Sequence, residues 1–253
     1  GWAAIAAAFA AVLAFAALIA YERRRREPLL DIRFFHSLPF SAATVIAISM
    51  FAALGGFLLL NSLYLQDVRG LSALHTGIAL LPMALAAMIV SPFSGRLVGT
   101  HGARPSLLAA GAMLTISAVL FAQLRTDTRL VHLLAAFAVF GVAYGMVNAP
   151  VTFAAVSGMP RAQAGIASAV ASTSRQVGVA VGVALAGTVA GNPAGDAAAR
   201  ASFAQATHAF WWIFAGLGVV IMLLAIVTTS SRGRASAARI AHLLQEPNAG
   251  AAG

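Results

Sequence analysis

Three polar residues, Tyr144, Asn148 and Thr152, recur at intervals of four within the apolar stretch Val131–Val156. This spacing places their side chains on one face of a helix. Inside a membrane, such a polar face contacts protein or water rather than lipid. The row is therefore predicted either to contact an amphipathic small molecule or to form hydrogen bonds between helices, and both interpretations stand at this point.

One arginine, Arg175, lies inside the apolar stretch Ala164–Ala190, about 11 residues or roughly 16 Å from its start at 1.5 Å per residue. A charge at that depth costs at least about 2.5 kcal/mol by insertion scales. Its side chain either extends to the membrane surface and packs two halves of a bundle together, or faces a cavity and acts on a nearby carboxylate. We favour the first, and assign Arg175 and its neighbour Gln176 to gating or to an interface.

Two further polar residues, Asn61 and Gln66, lie near the end of the stretch Pro39–Leu65. They are candidates for contact with a small molecule at the mouth of a cavity. Hydration of a helix end explains them as well, and we favour that explanation.

Residues for enzyme chemistry do not group together in the sequence. It contains no acid pair, nucleophile–base set, phosphate-binding loop or metal-ligand cluster, and the absence of cysteine excludes thiolate metal sites. We therefore predict a protein that is not an enzyme and has no cofactor or metal. All seven acids lie outside the apolar stretches (Glu22, Glu27, Asp31, Asp67, Asp127, Asp196 and Glu246).

Composition identifies the elements that hold these residues. The chain is 60% hydrophobic and 9% charged, whereas soluble domains carry about 25% charged residues. A helix needs about 20 apolar residues to cross a bilayer, and helices are the default there because the backbone must satisfy its own hydrogen bonds. We predict an all-α polytopic membrane protein with seven transmembrane helices: Trp2–Ala20, Pro39–Leu65, Leu74–Phe93, Pro105–Leu124, Val131–Val156, Ala164–Ala190 and His208–Thr228. The last six form two triplets, a common arrangement in secondary transporters.

The distribution of arginine predicts the orientation. One side of the predicted membrane carries Arg23–Arg26, Arg33, Arg96, Arg104, Arg161, Arg232, Arg234 and Arg239, whereas the other carries Arg69, Arg125, Arg129 and Arg200. The richer side is predicted to be cytoplasmic, which places the C-terminus inside and Trp2, Trp211 and Trp212 at the outer interface.

The stretch SPFSGRLVGTHGARPSLL (Ser91–Leu108) is predicted to be a tight cytoplasmic turn between two helices. Within it, GRLVGTHGARP resembles the cytoplasmic loop motif of the major facilitator superfamily, G-x-L-a-D-r-x-G-r-k. Gly95, Leu97, Gly102 and Arg104 match, while Gly99 replaces the aspartate. The resemblance implies that Gly95, Arg96, Gly102 and Arg104 act in gating or at the interface between two halves.

Three longer stretches resemble the fourteen-helix drug–proton antiporter branch of that superfamily: REPLLDIRFFHSLPFSAA, LYLQDVRGLSALHTGIALLP and AGIASAVASTSRQVGVAVGVALAGTV. The resemblance implies the C-terminal half of such a transporter. It divides the chain into a linker helix (residues 1–20), a basic cytoplasmic loop (21–38), a six-helix bundle (39–229) and a cytoplasmic tail (230–253).

The resemblance also implies a function, namely export of drug-like amphipathic compounds in exchange for protons. The first helix of each triplet would line the central cavity, and the proton-coupling residues would lie in the N-terminal half. The expected partners are the lipid bilayer of a bacterial-type inner (plasma) membrane, that N-terminal half, a small-molecule substrate and protons, but not nucleic acid. The alternatives are a non-transporting assembly partner or remnant, and uptake of a metabolite.

Overall fold

The computed structural model describes residues 37–124, 128–156, 164–190 and 197–228, and six single positions nearer the N-terminus (Ala6, Ala10, Leu13, Ala14, Ala17 and Tyr21). The four ranges contain six helices and no strand: α1 (Leu38–Leu63), α2 (Ala73–His101), α3 (Ala103–Ala122), α4 (Leu130–Val156), α5 (Ala164–Ala190) and α6 (Ala197–Thr228). By length and composition all six could cross a membrane, which confirms the all-α polytopic fold. Most of the predicted helix Trp2–Ala20, most of the loop 21–38 and the whole tail 230–253 lie outside the described residues.

Helix α1 begins after Ser37, with Pro39 in its first turn, where a missing backbone N–H removes no helical hydrogen bond. It continues beyond Leu63 into a π-helical turn, Tyr64–Val68. The guanidinium of Arg69, directly after this turn, donates a hydrogen bond to the carbonyl of Thr128 at 2.8 Å. The α1–α2 and α3–α4 connections therefore meet at one end of the bundle, which we call the opposite end.

The tight turn between two helices that was predicted within Ser91–Leu108 is present, but it is shorter than expected, because most of the stretch is helical. Helix α2 runs through Gly95 and Gly99 to His101, and α3 starts at Ala103. A single residue, Gly102, connects them with φ 79° and ψ −177°, a conformation that glycine adopts without a Cβ penalty. The charge of Arg96 ends the apolar run of the sequence, but the helix continues past Arg96 to His101. We call this end, which carries Arg96 and Arg104, the basic end.

Helix α6 also differs from its prediction, His208–Thr228, because it begins eleven residues earlier at Ala197. The extension, AAARASFAQAT, contains Arg200 and Gln205, which separate it from the apolar run that follows. It is nevertheless rich in alanine, the strongest helix former.

The bundle is built on three pairs of helices. Helix α1 packs along α5, α2 along α4, and α3 along α6. If α1, α2 and α3 are matched with α4, α5 and α6 in order, the α1–α5 pair corresponds to the α4–α2 pair. The α3–α6 pair then corresponds to itself. This pairing is the one expected for an inverted-topology repeat.

The core is aromatic towards the opposite end. Phe57 of α1 stacks on Phe140 of α4 with ring centroids 4.1 Å apart, and Trp211 of α6 stacks on Phe121 of α3 at 4.6 Å. Trp211 is 3% exposed and packs in the core, whereas Trp212 is 60% exposed and faces away from it. Successive helical residues point about 100° apart, so two adjacent tryptophans can differ strongly in exposure.

Candidate functional site

Phe51, in the middle of α1, lies between two residues that the sequence singles out. Its ring makes an edge-on contact with the ring of Tyr144 on α4, with centroids 5.7 Å apart. The Cζ atom of Arg175 on α5 lies 5.9 Å from the centroid of the same ring. The fold therefore joins Tyr144 and Arg175 through a phenylalanine, and we call these three residues the midplane cluster.

The depth of the cluster follows from its position in the three helices. Phe51, Tyr144 and Arg175 lie 13, 12 and 11 residues from the basic ends of their helices. At 1.5 Å per residue these separations are roughly 16–20 Å. The apolar layer of a bilayer is about 30 Å thick, so all three residues lie near the middle of helices that are long and apolar enough to cross it.

Glycines on α5 bring Arg175 to Phe51. A Cβ atom added at Gly178 would lie 2.6 Å from the carbonyl oxygen of Ile48 and 3.0 Å from Cβ of Phe51. A Cβ atom added at Gly182 would overlap the carbonyl oxygen of Ala52. Small residues let the backbones of membrane helices approach closely. Gly178 contacts Phe51 in this way, and Arg175 lies one helical turn before Gly178 on α5.

A second glycine pair places Tyr144. Added Cβ atoms at Gly141 and Gly145 would collide with the carbonyl oxygens of Met83 and Ala87 on α2. Both glycine pairs therefore mediate close helix packing. Gly187 and Gly191 have the same spacing of four residues, but an added Cβ at Gly187 has nothing within 4 Å, and Gly191 lies outside the described residues.

The guanidinium of Arg175 has no carboxylate partner among the described residues. Asp67 is the one acid that those ranges contain, and it lies in the π-helical turn at the opposite end. Arg175 is half-buried, and its neighbours Ser172 and Gln176 are exposed. Among the described residues, the guanidinium of Arg175 contacts the face of the Phe51 ring.

The polar row on α4 becomes more exposed towards the basic end. Tyr144 and Asn148 are half-buried, and Thr152 is exposed. Asn148 Nδ2 donates to the carbonyl of Tyr144 at 3.2 Å, which leaves its Oδ1 atom as an acceptor. These groups supply donors and acceptors directly beside the midplane cluster.

Asn61 and Gln66 lie away from that cluster, near the opposite end. Asn61 is 1% exposed, and its Nδ2 donates to the carbonyl of Phe57 at 2.9 Å. Gln66 is exposed, and its Nε2 donates to Ser62 Oγ at 2.8 Å. Asn61 lines a cavity of about 10 Å³, together with Leu60, Tyr64, Leu124, Phe203, Thr207 and Trp211. That volume holds about one water molecule.

The motif residues cluster at the basic end instead. Gly95, Arg96 and Arg104 are exposed, and the Arg96 guanidinium lies 6.0 Å from the ring centroid of Phe93. Gly102 makes the turn between them. The basic side chains thus flank the one-residue connection of α2 and α3.

A buried polar group that the sequence does not single out lies between the midplane and the basic end. Pro150 in α4 has no N–H to donate to the carbonyl of Met146, four residues earlier. The hydroxyls of Ser94 on α2 and Ser106 on α3 lie 2.9 and 2.8 Å from that carbonyl oxygen and 2.7 Å from each other. Both serines are 0% exposed, so we call Ser94 and Ser106 the serine pair. A proline inside a membrane helix is the signal that could have prompted a search for them.

Six apolar helices with a polar, aromatic and cationic cluster at mid-depth define an integral membrane protein with the architecture of a secondary transporter. Residues 1–183 match the model of the Major Facilitator Superfamily, and the chain belongs to that family. Members of the family are transporters rather than enzymes, and they act on small molecules within the membrane.

Several curated relatives are named for drug resistance or transport. The multidrug resistance protein Stp of Mycobacterium tuberculosis is 33% identical over 159 residues, which are 62% of this chain and 29% of Stp. The tetracenomycin C resistance and export protein of Streptomyces glaucescens is 32% identical over 170 residues, or 67% of this chain and 31% of that protein. The riboflavin transporter RibZ of Clostridioides difficile is 24% identical over 167 residues, or 66% and 37%. The chain thus spans about a third of the length of the relatives that it matches.

Proposed function

We propose that this chain is the C-terminal portion of a fourteen-helix transporter that exports drug-like amphipathic compounds in exchange for protons. The observation that carries the proposal is the midplane cluster, because it supplies rings, a hydroxyl and a charge at the depth where transporters of this build bind substrate. One relative is named for multidrug resistance and another for tetracenomycin C resistance and export, and both names support this proposal.

The proposal assigns a part to each segment. Residues 1–20 form a linker helix, 21–38 a basic cytoplasmic loop, 39–229 the transporting bundle and 230–253 a cytoplasmic tail. The membrane is a bacterial-type plasma membrane, with the basic end inside because it carries more arginines.

Within the bundle, Tyr144, Asn148 and Thr152 line the cavity, and Gln66 lies at its outer mouth with Asn61 beneath. Gly95, Arg96, Gly102 and Arg104 act at the interface between halves. The exposed face of α5 supports a protein neighbour, since Ser168, Ser172, Thr173 and Gln176 lie on it and polar side chains are unsuited to lipid.

Proton coupling requires a group that titrates within the membrane. The one acid of the described ranges, Asp67, lies in the π-helical turn at the opposite end, so we propose that other helices of the same transporter supply the coupling carboxylates. An assembly of this bundle with such helices would complete the cavity, and rocking of the two halves would carry substrate across.

Export is tested in an efflux-deficient bacterium that expresses the complete reading frame containing this sequence. We expect lower accumulation of amphipathic dyes than in vector controls, and loss of this difference when a protonophore is added. Arg175→Ala should reduce export at equal expression, Arg175→Lys should partly retain it, and Gly187→Ala, on the same helix, should leave it unchanged. Equal export by wild type and Arg175→Ala would contradict a role for the cluster.

The intact mass of the protein in its native membrane distinguishes the proposed transporter from the first alternative, a non-transporting assembly partner or remnant. A mass well above the 25.8 kDa of this chain agrees with one larger transporter. A species of 25.8 kDa favours the non-transporting alternative.

The relative named as a riboflavin transporter favours a second candidate, transport of a metabolite. The same cells distinguish the two candidates, because a metabolite importer raises the internal concentration of its substrate above the vector control.

A further inference from the structure

We propose that Arg175, Phe51 and Tyr144 form a subsite for planar aromatic anions, such as the carboxylate or phenolate forms of polycyclic compounds. This proposal rests on the proposed function and names the class of compound that the site selects. It adopts the second interpretation of Arg175, in which the side chain faces a cavity.

Arg175 carries a charge that no described carboxylate compensates. A guanidinium stays protonated in proteins, and a charge at mid-depth is paired or faces a water-filled cavity. No described residue offers Arg175 a carboxylate, and the side chain is half-buried rather than enclosed. A charge placed in this way favours a mobile anion as its counter-charge.

The second step is the direction of the side chain. An arginine that avoids the membrane interior extends its head group towards the nearer surface. The Arg175 guanidinium instead lies against Phe51, whose Cβ is held beside the position of Gly178, one turn deeper along α5. The charge is therefore kept at the level of the rings.

The third step is the second donor. Tyr144 is half-buried, and its hydroxyl forms no hydrogen bond with the described residues. Asn148, one turn away, uses its amide N–H on the carbonyl of Tyr144. Tyr144 therefore offers a second donor on the same phenylalanine that Arg175 contacts, and the charge-assisted hydrogen bonds that the guanidinium can donate are the stronger kind.

The fourth step is the shape of the ligand. The rings of Phe51 and Tyr144 meet at an interplanar angle of 69°, so a flat ring system can stack on one and meet the other edge-on. A small hydrated anion would lose its water without gaining these contacts. An organic cation would meet the repulsion of Arg175 with no carboxylate from the described residues to offset it.

The test uses three probes with one ring system: anthracene-9-carboxylate, 9-anthracenemethanol and 9-(aminomethyl)anthracene, which carry negative, zero and positive charge. Binding is measured by anthracene fluorescence with the purified transporter in lipid nanodiscs. Transport is measured separately in everted membrane vesicles.

We expect the carboxylate to bind at least tenfold more tightly than the alcohol, and the ammonium to bind most weakly. Arg175→Gln should remove the preference for the carboxylate while leaving affinity for the alcohol within about twofold. Arg175→Lys should keep part of the preference, because it keeps the charge but not the planar fork. Gly187→Ala should bind all three like wild type.

If Arg175→Gln does not fold, Tyr144→Phe tests the same subsite independently. It removes a single hydroxyl, and we expect a threefold to fivefold loss of carboxylate affinity with no change for the alcohol.

Equal binding of the three probes by wild type, or tighter binding of the ammonium, would overturn the subsite. The same holds if Arg175→Gln and Tyr144→Phe weaken all three probes equally, because that pattern reports a structural role. Carboxylate-selective binding without transport supports the subsite but contradicts the proposed export function. Transport without carboxylate preference contradicts the subsite and leaves export standing.

Discussion

Gly182 and Gly187 lie on the same helix but meet different surroundings, which makes them a matched pair. A Cβ atom at Gly182 would overlap the carbonyl oxygen of Ala52, whereas one at Gly187 would meet nothing within 4 Å. We expect Gly182→Ala to destabilise the bundle by about 1–3 kcal/mol through overpacking. Gly187→Ala should be neutral or stabilising by up to about 1 kcal/mol, because alanine is the better helix former.

The measurement is the unfolding of each variant in mixed detergent and SDS, followed by tryptophan fluorescence. Equal stability of the two variants would show that α1 and α5 do not approach as closely as the structure indicates. A loss for Gly182→Ala should also weaken carboxylate binding, since this packing holds Arg175 beside Phe51.

At the residue scale, the sequence predicts part of the midplane cluster. Tyr144 and Arg175 are recognisable because polar residues are rare inside apolar stretches. Phe51 is not recognisable, because an apolar ring within the apolar run ISMFAALGG does not stand out. Its contacts with Tyr144 and Arg175 form only when the three helices pack together. The serine pair is hidden for a related reason, since small hydroxyl residues are common in membrane helices and their shared acceptor lies on a third helix.

At the element scale, the serine pair predicts an energetic coupling to Pro150. Replacing both serines with alanine should leave the Met146 carbonyl buried without a donor, at a cost of about 1–3 kcal/mol. In a Pro150→Ala background, the new backbone N–H can donate to that carbonyl, so the same double replacement should cost less than half as much.

A double-mutant cycle from unfolding in SDS measures this coupling. Ser172→Ala, at an exposed position of α5, serves as the control and should change stability by less than about 0.5 kcal/mol. An equal cost for the serine replacements with and without Pro150 would mean that the pair does not serve the proline-freed carbonyl.

The sequence predicts most elements closely and fails where hydropathy and helix propensity diverge. The prediction Ala164–Ala190 agrees with α5 at both ends, and Val131–Val156 differs from α4 by one residue. Helix α2 outlasts its apolar segment by eight residues, from Ser94 to His101. Helix α6 precedes its apolar segment by eleven. Leaving the lipid does not end a helix, so a hydropathy pattern finds the membrane boundary rather than the helix boundary.

At the scale of the whole molecule, the alternating helices predict which connections share a side of the membrane. This sequence contains no cysteine, so a single thiol introduced into it reports its own location once any cysteine elsewhere in the complete transporter has been replaced. Gly99→Cys lies at the basic end and Gln123→Cys at the opposite end, and both positions are exposed.

In intact cells we expect a membrane-impermeant maleimide to label Gln123→Cys but not Gly99→Cys, with both labelled after the membrane is opened. The reverse pattern would invert the proposed orientation. Labelling of both in intact cells would contradict the alternation of the helices across the bilayer.

The pairing of α1 with α5 also has a consequence for how the protein is made. Ile48 and its partner Gly178 are 130 residues apart, and chains grow at about 5–20 residues per second. Roughly 6–26 s therefore separate the synthesis of the two contact surfaces. During that interval the face of α1 that later receives the glycines of α5 has only lipid, the insertion machinery or an earlier helix to cover it.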